Sequence, residues 1–113
     1  MPKLYYASPR DLPKFDRSAG AVGRVLQTDN ATMIMFDLEP KIVIETHKHE
    51  MEQFGVVVKG SLAMVIAGEQ RILTAGDTYR IPPGAAHGAR VFEEATQVID
   101  VYVPARHDIT TSP

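Results

Sequence analysis

Turn-forming residues recur at short intervals along the 113-residue chain and limit the length of every regular element that it can form. Signals such as Lys59-Gly60, Ala75-Gly76 and Pro82-Pro83-Gly84 separate short apolar runs, and no run keeps a helical period. Many short strands with such regular turns are typical of an all-β sandwich or barrel. Strands are predicted over residues 23–28, 32–38, 41–45, 53–59, 62–67, 70–73, 77–81, 88–92 and 96–103.

The chain is long enough for one domain with a single modest core, and no linker or internal repeat divides it. Residues 1–19 contain several prolines and are predicted to form an irregular arm, with a short helical turn at residues 9–14. The β-domain is predicted to occupy residues 20–107. The remaining residues, 108–113, are predicted to form a C-terminal tail.

Three of the four histidines fall into two short motifs that are widely separated in the sequence. His47 and His49 lie two residues apart, so on a β-strand both side chains point to the same face. Gln53 keeps that parity if the strand continues, and His87, after a Pro-Pro-Gly turn, is the natural fourth ligand. Three imidazoles and an amide oxygen suit one divalent ion, such as Zn, Ni, Fe or Mn. Because no ligand is anionic, such an ion would remain a strong Lewis acid.

The same histidines could instead be ordinary exposed residues, with His47 and His49 at the edge of a strand and His87 after a turn. For a lone histidine that interpretation would be favoured. Here three histidines, an amide and several glycines and prolines fall into one pattern. The pattern reads His-x-His-x3-Gln-x6-Gly followed by Gly-x5-Pro-x-Gly-x2-His, and it favours a metal site.

Residues 45–60 and 76–87 closely resemble the two signature motifs of the cupin superfamily. The resemblance implies a small single-domain β-barrel of the jelly-roll type, with the motif residues named above as ligands of one divalent metal ion. Two positions depart from the usual motifs, since Gln53 stands in place of Glu and Val91 in place of Asn. The Gln variant occurs among metal-binding cupins, so it disfavours only chemistries that depend on a carboxylate ligand.

The predicted strand over residues 96–103 can be oriented in two ways. By its pattern alone, the aliphatic odd-numbered residues face the core, whereas Asp100 and Tyr102 face water. However, residues 100–106 (Asp-Val-Tyr-Val-Pro-Ala-Arg) resemble the Asp-x-Phe-x-Pro-x-Arg ending of a subset of small cupins. That subset includes a pectin-degradation cupin that linearises unsaturated uronate sugars. There the corresponding Asp and Arg line the metal pocket, so the resemblance implies that Asp100 and Arg106 do so here.

An inward-facing Asp100 would give the metal site a proton-transfer group. Near a bound dication it could act as a general base, or as an acid if burial raises its pKa. Arg106 would offer a planar cation to a substrate carboxylate, and Tyr102 would hydrogen-bond the substrate. This set favours a non-redox isomerase, tautomerase or ring-opening enzyme that acts on a small carboxylated sugar-like or enol substrate. An Fe(II)-dependent dioxygenase and a barrel that only binds a small molecule or a metal are the alternatives.

Composition restricts the partners and the compartment. The net charge of −2 gives no reason to expect nucleic acid or an anionic membrane as partner. No apolar run approaches the ~20 residues of a membrane span. The chain has no cysteine, which excludes disulfides and thiolate chemistry. The first six residues lack the apolar segment of a signal peptide, so we expect a cytoplasmic protein whose partner is a small-molecule substrate.

Several predicted strands are apolar on both faces. One of them carries Phe54, Val56, Val57 and Val58, whereas a sheet with one face in water should alternate. This pattern predicts that the outer face of one sheet packs on a second subunit. A homodimer is therefore expected, as the resemblance to small cupins also implies.

Overall fold

Ten short strands form two antiparallel sheets in the computed structural model of the protein, which describes residues 5–109 and 111–112. The strands are β1 (Lys14–Ser18), β2 (Ala21–Gln27), β3 (Thr32–Leu38), β4 (Val43–His47), β5 (Glu52–Lys59), β6 (Ser61–Ile66), β7 (Glu69–Thr74), β8 (Thr78–Ile81), β9 (His87–Val91) and β10 (Thr96–Val103). A six-stranded sheet has the order β1-β2-β3-β10-β5-β8, and a four-stranded sheet has the order β4-β9-β6-β7. The predicted all-β barrel is confirmed.

The predicted strands over residues 32–38 and 96–103 coincide with β3 and β10. The other predicted strands differ from the observed ones by at most two residues at either end. The irregular arm was predicted wrongly for Lys14–Ser18, which form β1 and pair with β2. The ring of Phe15 lies 6.1 Å from that of Phe36. β1 could not be recognised from its own pattern, because its residues are mainly charged. Pairing with β2 holds it in the sheet.

The two ends of the described chain meet beside β1. The helical turn predicted at residues 9–14 is a 3-10 turn that spans Pro9–Asp11. Ser112 forms an isolated bridge with Lys14, so part of the predicted tail returns to the edge of β1. The first four residues of the predicted arm and residues 110 and 113 of the predicted tail lie outside the described residues. Among the described residues, no helix has the length and apolar character needed to cross a membrane.

The core lies between the two sheets and draws side chains from both. Its fully buried members include Ile34 of β3, Leu62 of β6 and Ile81 of β8. Burying each of these side chains contributes on the order of 1.5–3 kcal/mol. The interior also contains polar side chains, namely Thr32, Gln53, His87, Thr96 and Asp100. Buried polar groups lower the stability of a fold unless they are hydrogen-bonded, and they are kept mainly where they have a function. This set therefore indicates a site inside the barrel.

Candidate metal centre

His47, His49 and His87 come together in the interior of the barrel. His47 ends β4, His49 lies in the loop that follows, and His87 begins β9. Their candidate donor atoms all lie within 4.8 Å of one another. The ring centroids of His47 and His87 are 4.3 Å apart. Three imidazole nitrogens at this spacing could hold a common metal ion.

The prediction that His47 and His49 share one face of a strand is wrong, because β4 ends at His47. A β-bulge turns His47 inward. Ile44 pairs with Ala89 across the sheet. The next pair, His47 with His87, leaves one more residue on β4 than on β9 between the two pairs. Such an extra residue reverses the face that the following side chains occupy, so strand parity could not have placed His47 correctly.

A backbone carbonyl fixes each imidazole through its Nδ1 atom. The Nδ1 atoms of His47, His49 and His87 each lie 2.9 Å from a carbonyl oxygen, those of Glu45, Met51 and Ala85, respectively. Because a carbonyl oxygen only accepts hydrogen bonds, each Nδ1 carries the proton and donates it. Each Nε2 therefore keeps a lone pair. This is the tautomer and the ring orientation of a metal-ligating imidazole.

The charge state of the histidines also suits a metal ion. Burial lowers the pKa of His47 and that of His87, and the positive charge of Arg17 acts in the same direction. The hydrogen bonds to the backbone carbonyls oppose the effect without cancelling it. Both rings are therefore neutral at pH 7. A metal ion could bind them without first displacing a proton.

Three atoms of the cluster test directly whether a metal ion fits. Oε1 of Gln53 lies 3.0 Å from Nε2 of His49, and in the tautomer above both atoms are acceptors. Two lone pairs this close repel unless a cation lies beside both. Nε2 of His87 is buried and has no hydrogen-bond partner in the described part of the chain. A divalent cation satisfies all three atoms, so the donor set of imidazole nitrogens and one amide oxygen fits a metal ion.

The histidine cluster opens on a cavity of about 120 Å³ between the two sheets. Much of its wall is apolar, with side chains such as Phe36, Leu62 and Val98. The polar side chains that line it are Arg17, His47, Gln53, Tyr79, His87, Asp100, Tyr102 and Arg106. A concave, partly apolar cavity with a few converging polar groups is typical of a small-molecule site.

Asp100 and Tyr102 face this interior, with exposures of 5% and 4%. The pattern-based prediction that they face water is therefore wrong. β10 is a central strand, and its even-numbered residues, which include Thr96 and Val98, form the buried face. The aliphatic odd-numbered residues lie on the outer face, where Val103 is 39% exposed. The pattern misleads because the inner face carries the polar groups of the cavity while the outer face is itself apolar.

Asp100 accepts a hydrogen bond from Tyr79, whose hydroxyl donates to Oδ1 at 2.5 Å. Burial raises the pKa of Asp100 to about 6, although the Tyr79 hydroxyl, the Gln53 amide and the charges of Arg17 and Arg106 oppose the increase. A carboxyl group with this pKa can take up and release a proton near neutral pH.

Gln53 lies beside both Asp100 and the histidines. Its oxygen faces His49. Its amide group also lowers the pKa of Asp100. The fourth candidate ligand and the acid are therefore neighbours in the cavity.

Gly55 makes room for the hydrogen bond between Tyr79 and Asp100. It lies on β5, opposite Tyr79 of β8 on one side and Asp100 of β10 on the other. A Cβ atom at this position would lie 2.6 Å from the Tyr79 hydroxyl and 2.5 Å from Oδ1 of Asp100. A residue without a side chain is therefore needed for Tyr79 to reach across β5.

Arg106 reaches the cavity but is already partnered. Its Nε and Nη2 atoms donate to the two carboxylate oxygens of Asp108, each at 3.0 Å. This hydrogen bonding lowers the pKa of Asp108, which is therefore ionised. The guanidinium carbon lies 4.7 Å from the centre of the Tyr102 ring, a cation–π distance. Arg106 thus supports Tyr102 with one face while Asp108 occupies two of its donor atoms.

Sequence reasoning missed Arg17 and Tyr79, which line the cavity, and Gly55, which makes room for Tyr79. A glycine inside a predicted strand often marks the close approach of another group, so Gly55 carried a usable signal. Tyr79 carried none, because its meeting with Asp100 depends on the strand order β10-β5-β8. Arg17 lies on the strand that was not predicted.

Residues 34–102 match the family model described as Cupin domain. The chain is 34% identical over 82 residues to pectin degradation protein KdgF of Dickeya dadantii (strain 3937), and the match covers 72% of this chain and 74% of that protein. It is 32% identical over 89 residues to H2HPP isomerase of Bacillus subtilis, over 78% of this chain. The matched segment spans only 36% of the isomerase.

The structure of KdgF from Halomonas sp. has a TM-score of 0.85 with this chain at 27% sequence identity. The match covers 94% of this chain and 98% of that one. All four candidate ligands, together with Asp100 and Tyr102, lie within the segment that matches the family model. Arg17 and Arg106 lie outside it.

Proposed function

The chain belongs to the cupin family, and from that premise we propose that it is a metal-dependent isomerase, tautomerase or ring-opening enzyme. Its substrate would be a small carboxylated sugar-like or enol compound. The name of one relative, H2HPP isomerase, supports this class of reaction, and that of another, a pectin degradation protein, supports a sugar-like substrate. The observation that carries the proposal is the position of Asp100, a buried acid that accepts a hydrogen bond from Tyr79 and lines the same cavity as His47 and His87.

His47, His49, Gln53 and His87 would hold one divalent ion, with Zn, Ni, Fe and Mn as the candidates. The tautomers of the histidines, the orphan Nε2 of His87 and the orientation of the Gln53 amide support this assignment. When bound, the ion supplies Lewis acidity toward a hydroxyl or carbonyl oxygen of the substrate.

Asp100 would move the proton. As a carboxylate it accepts a proton from the substrate atom next to the polarised oxygen, and as the acid it returns that proton to the other end of the same conjugated system. The substrate is neither oxidised nor reduced, so no redox partner is required. Tyr79 holds Oδ1 of Asp100 throughout, which fixes the carboxyl group relative to the cluster.

Tyr102 and Arg106 would complete the substrate site. Tyr102 lies next to the cluster, with its ring 5.8 Å from that of His49, and offers a hydroxyl to the substrate. Burial raises the pKa of Tyr102, so this hydroxyl stays protonated. Arg106 adds a positive charge to the cavity, which favours an anionic substrate.

The test is exchange chemistry on a panel of unsaturated uronates and 2-oxo acids. Metal-loaded protein in D2O is expected to convert at least one of them. NMR should show deuterium at the substrate carbon that exchanges a proton with Asp100. Asp100→Asn should lower both signals by at least about 100-fold while metal content stays near one ion per chain. Asp29→Asn, at an exposed acid in a turn, is the matched control and should behave as wild type.

Two other outcomes would replace the proposal. Stoichiometric oxygen consumption with one of these substrates would assign a dioxygenase. Full metal occupancy with no turnover of any substrate, and binding that Asp100→Asn does not change, would assign a non-catalytic binding barrel.

The outer face of the six-stranded sheet supports the proposal of a homodimer. Cross-strand pairs join Met35 to Ile99 and Val101 to Phe54, so an apolar surface continues across β3, β10 and β5. Phe54 is 44% exposed in the single chain. Surfaces of this kind usually mark an interface. Sedimentation velocity should give a dimer for wild type and a monomer for Phe54→Lys, and a monomeric wild type would refute the proposal.

A further inference from the structure

Arg17 is a cationic side chain on the cavity wall that the proposed reaction does not use. It lies on β1, where the register with β2 shifts between Asp16 and Ser18. Such a bulge re-aims the side chain at the extra position. Arg17 lines the cavity, and its Nη2 atom lies 3.5 Å from Nε2 of His47. The guanidinium therefore stands at the edge of the histidine cluster.

The two arginines of the cavity differ in their partners. Arg106 is engaged by Asp108 through two hydrogen bonds. Arg17 makes no ion pair within 4.0 Å among residues 5–109 and 111–112. A half-buried charge without a counter-ion is costly, and folding alone gives no reason to place one here. Arg17 is thus the cavity cation whose donor atoms remain available.

The contact of Arg17 with His47 is favourable only while no metal ion is bound to His47. A guanidinium has no acceptor, so it can use only the lone pair on Nε2 of His47. When that lone pair binds a metal ion it is no longer available, and two positive charges face each other. An anionic group placed beside both would offset the repulsion.

We propose that Arg17 binds the carboxylate of the substrate at the edge of the histidine cluster. This assignment rests on the proposed function, because it identifies the residue that recognises the acidic group of that substrate class. The guanidinium fork matches a carboxylate with two parallel N–H···O bonds. Neutral analogues of the substrate would then be poor ligands, and Arg106 would act mainly through Tyr102.

The test compares glycolate with its neutral amide, glycolamide, on zinc-loaded protein by NMR titration. Arg17→Met should weaken glycolate binding about tenfold, the usual effect of losing one charge-assisted contact. Binding of glycolamide and zinc content should not change. Arg80→Met is the matched control, because Arg80 is an exposed arginine of β8, and it should bind glycolate as wild type does. A second measurement needs no variant: the guanidinium resonances of Arg17 in wild type should shift with glycolate and not with glycolamide.

Unchanged glycolate affinity in Arg17→Met, or guanidinium resonances of Arg17 that do not shift when glycolate is added, would overturn the assignment. The proposed function can fail separately. If glycolate binds through Arg17 but no substrate is turned over, the isomerase proposal falls and Arg17 remains an anion site. If turnover proceeds with an unchanged KM in Arg17→Met, the assignment of Arg17 falls and the proposed function stands.

Discussion

The histidine cluster and Asp100 share one cavity, but different kinds of contact hold them in place. Each histidine ring is fixed by a backbone carbonyl two residues away in the chain. Asp100 is fixed by Tyr79, which is 21 residues away and two strands across the sheet. Local contacts survive small changes elsewhere, whereas contacts across three strands depend on every strand between them. Metal binding and proton transfer should therefore be separable by mutation.

The largest effect is expected on the metal side. His87→Ala removes a buried candidate ligand. Metal affinity should fall more than about 100-fold, because mutation of a residue that only hydrogen-bonds to a ligand already costs about 10–100-fold. Turnover should disappear with the metal. Elemental mass spectrometry on protein purified without chelator measures the loss, and exposed His107, replaced by Ala, is the control. Near-stoichiometric metal in His87→Ala would contradict the assignment of this residue as a ligand.

The acid side should respond differently. Asp100→Asn keeps the shape of the side chain but removes its ability to exchange a proton. Turnover should fall by about 10²–10⁴-fold, the usual contribution of general acid–base catalysis, while metal content stays as in wild type. The two quantities are measured on the same preparation. If metal and turnover fell together, the two sides of the cavity would not be separable.

The same contrast explains how much of the site could be predicted from the sequence. The candidate ligands belong to two compact motifs, so the sequence could point to His47, His49 and His87 as a cluster, even though the strand parity used for His47 was wrong. The positions of Asp100 and Tyr79 depend on which strands are neighbours, and no periodicity in β10 reveals that. The strands themselves were predictable because turns limit them, except β1, which depends on its partner strand.

Two glycines allow each side to be disturbed without replacing a functional side chain. In Gly55→Ala the new methyl group would meet the backbone oxygen of Ile99 as well as Tyr79 and Asp100, and we expect a loss of stability of about 1–3 kcal/mol and a drop in kcat with metal retained. In Gly88→Ala the methyl group would lie 2.8 Å from the carbonyl oxygen of Ile44, next to the bulge that positions His47, so metal affinity should fall about tenfold. Thermal unfolding, metal titration and kcat would separate the two effects. Equal effects of both variants on metal affinity would refute the separation.

The smallest effect is expected for Tyr79→Phe, and it concerns pH. The Tyr79 hydroxyl helps to lower the pKa of Asp100 against the effect of burial, so its removal should raise that pKa above the present value of about 6. Since Asp100 acts as the carboxylate, activity is lost as the pH falls through its pKa. The acidic limb of the profile of kcat against pH should therefore move to higher pH, with a few-fold loss at pH 6 and little change at pH 8. Tyr5→Phe, at an exposed tyrosine, is the control. A limb that stays in place or moves to lower pH would show that Tyr79 does not tune the acid, and Asp100 would then depend on Gln53 and the arginines alone.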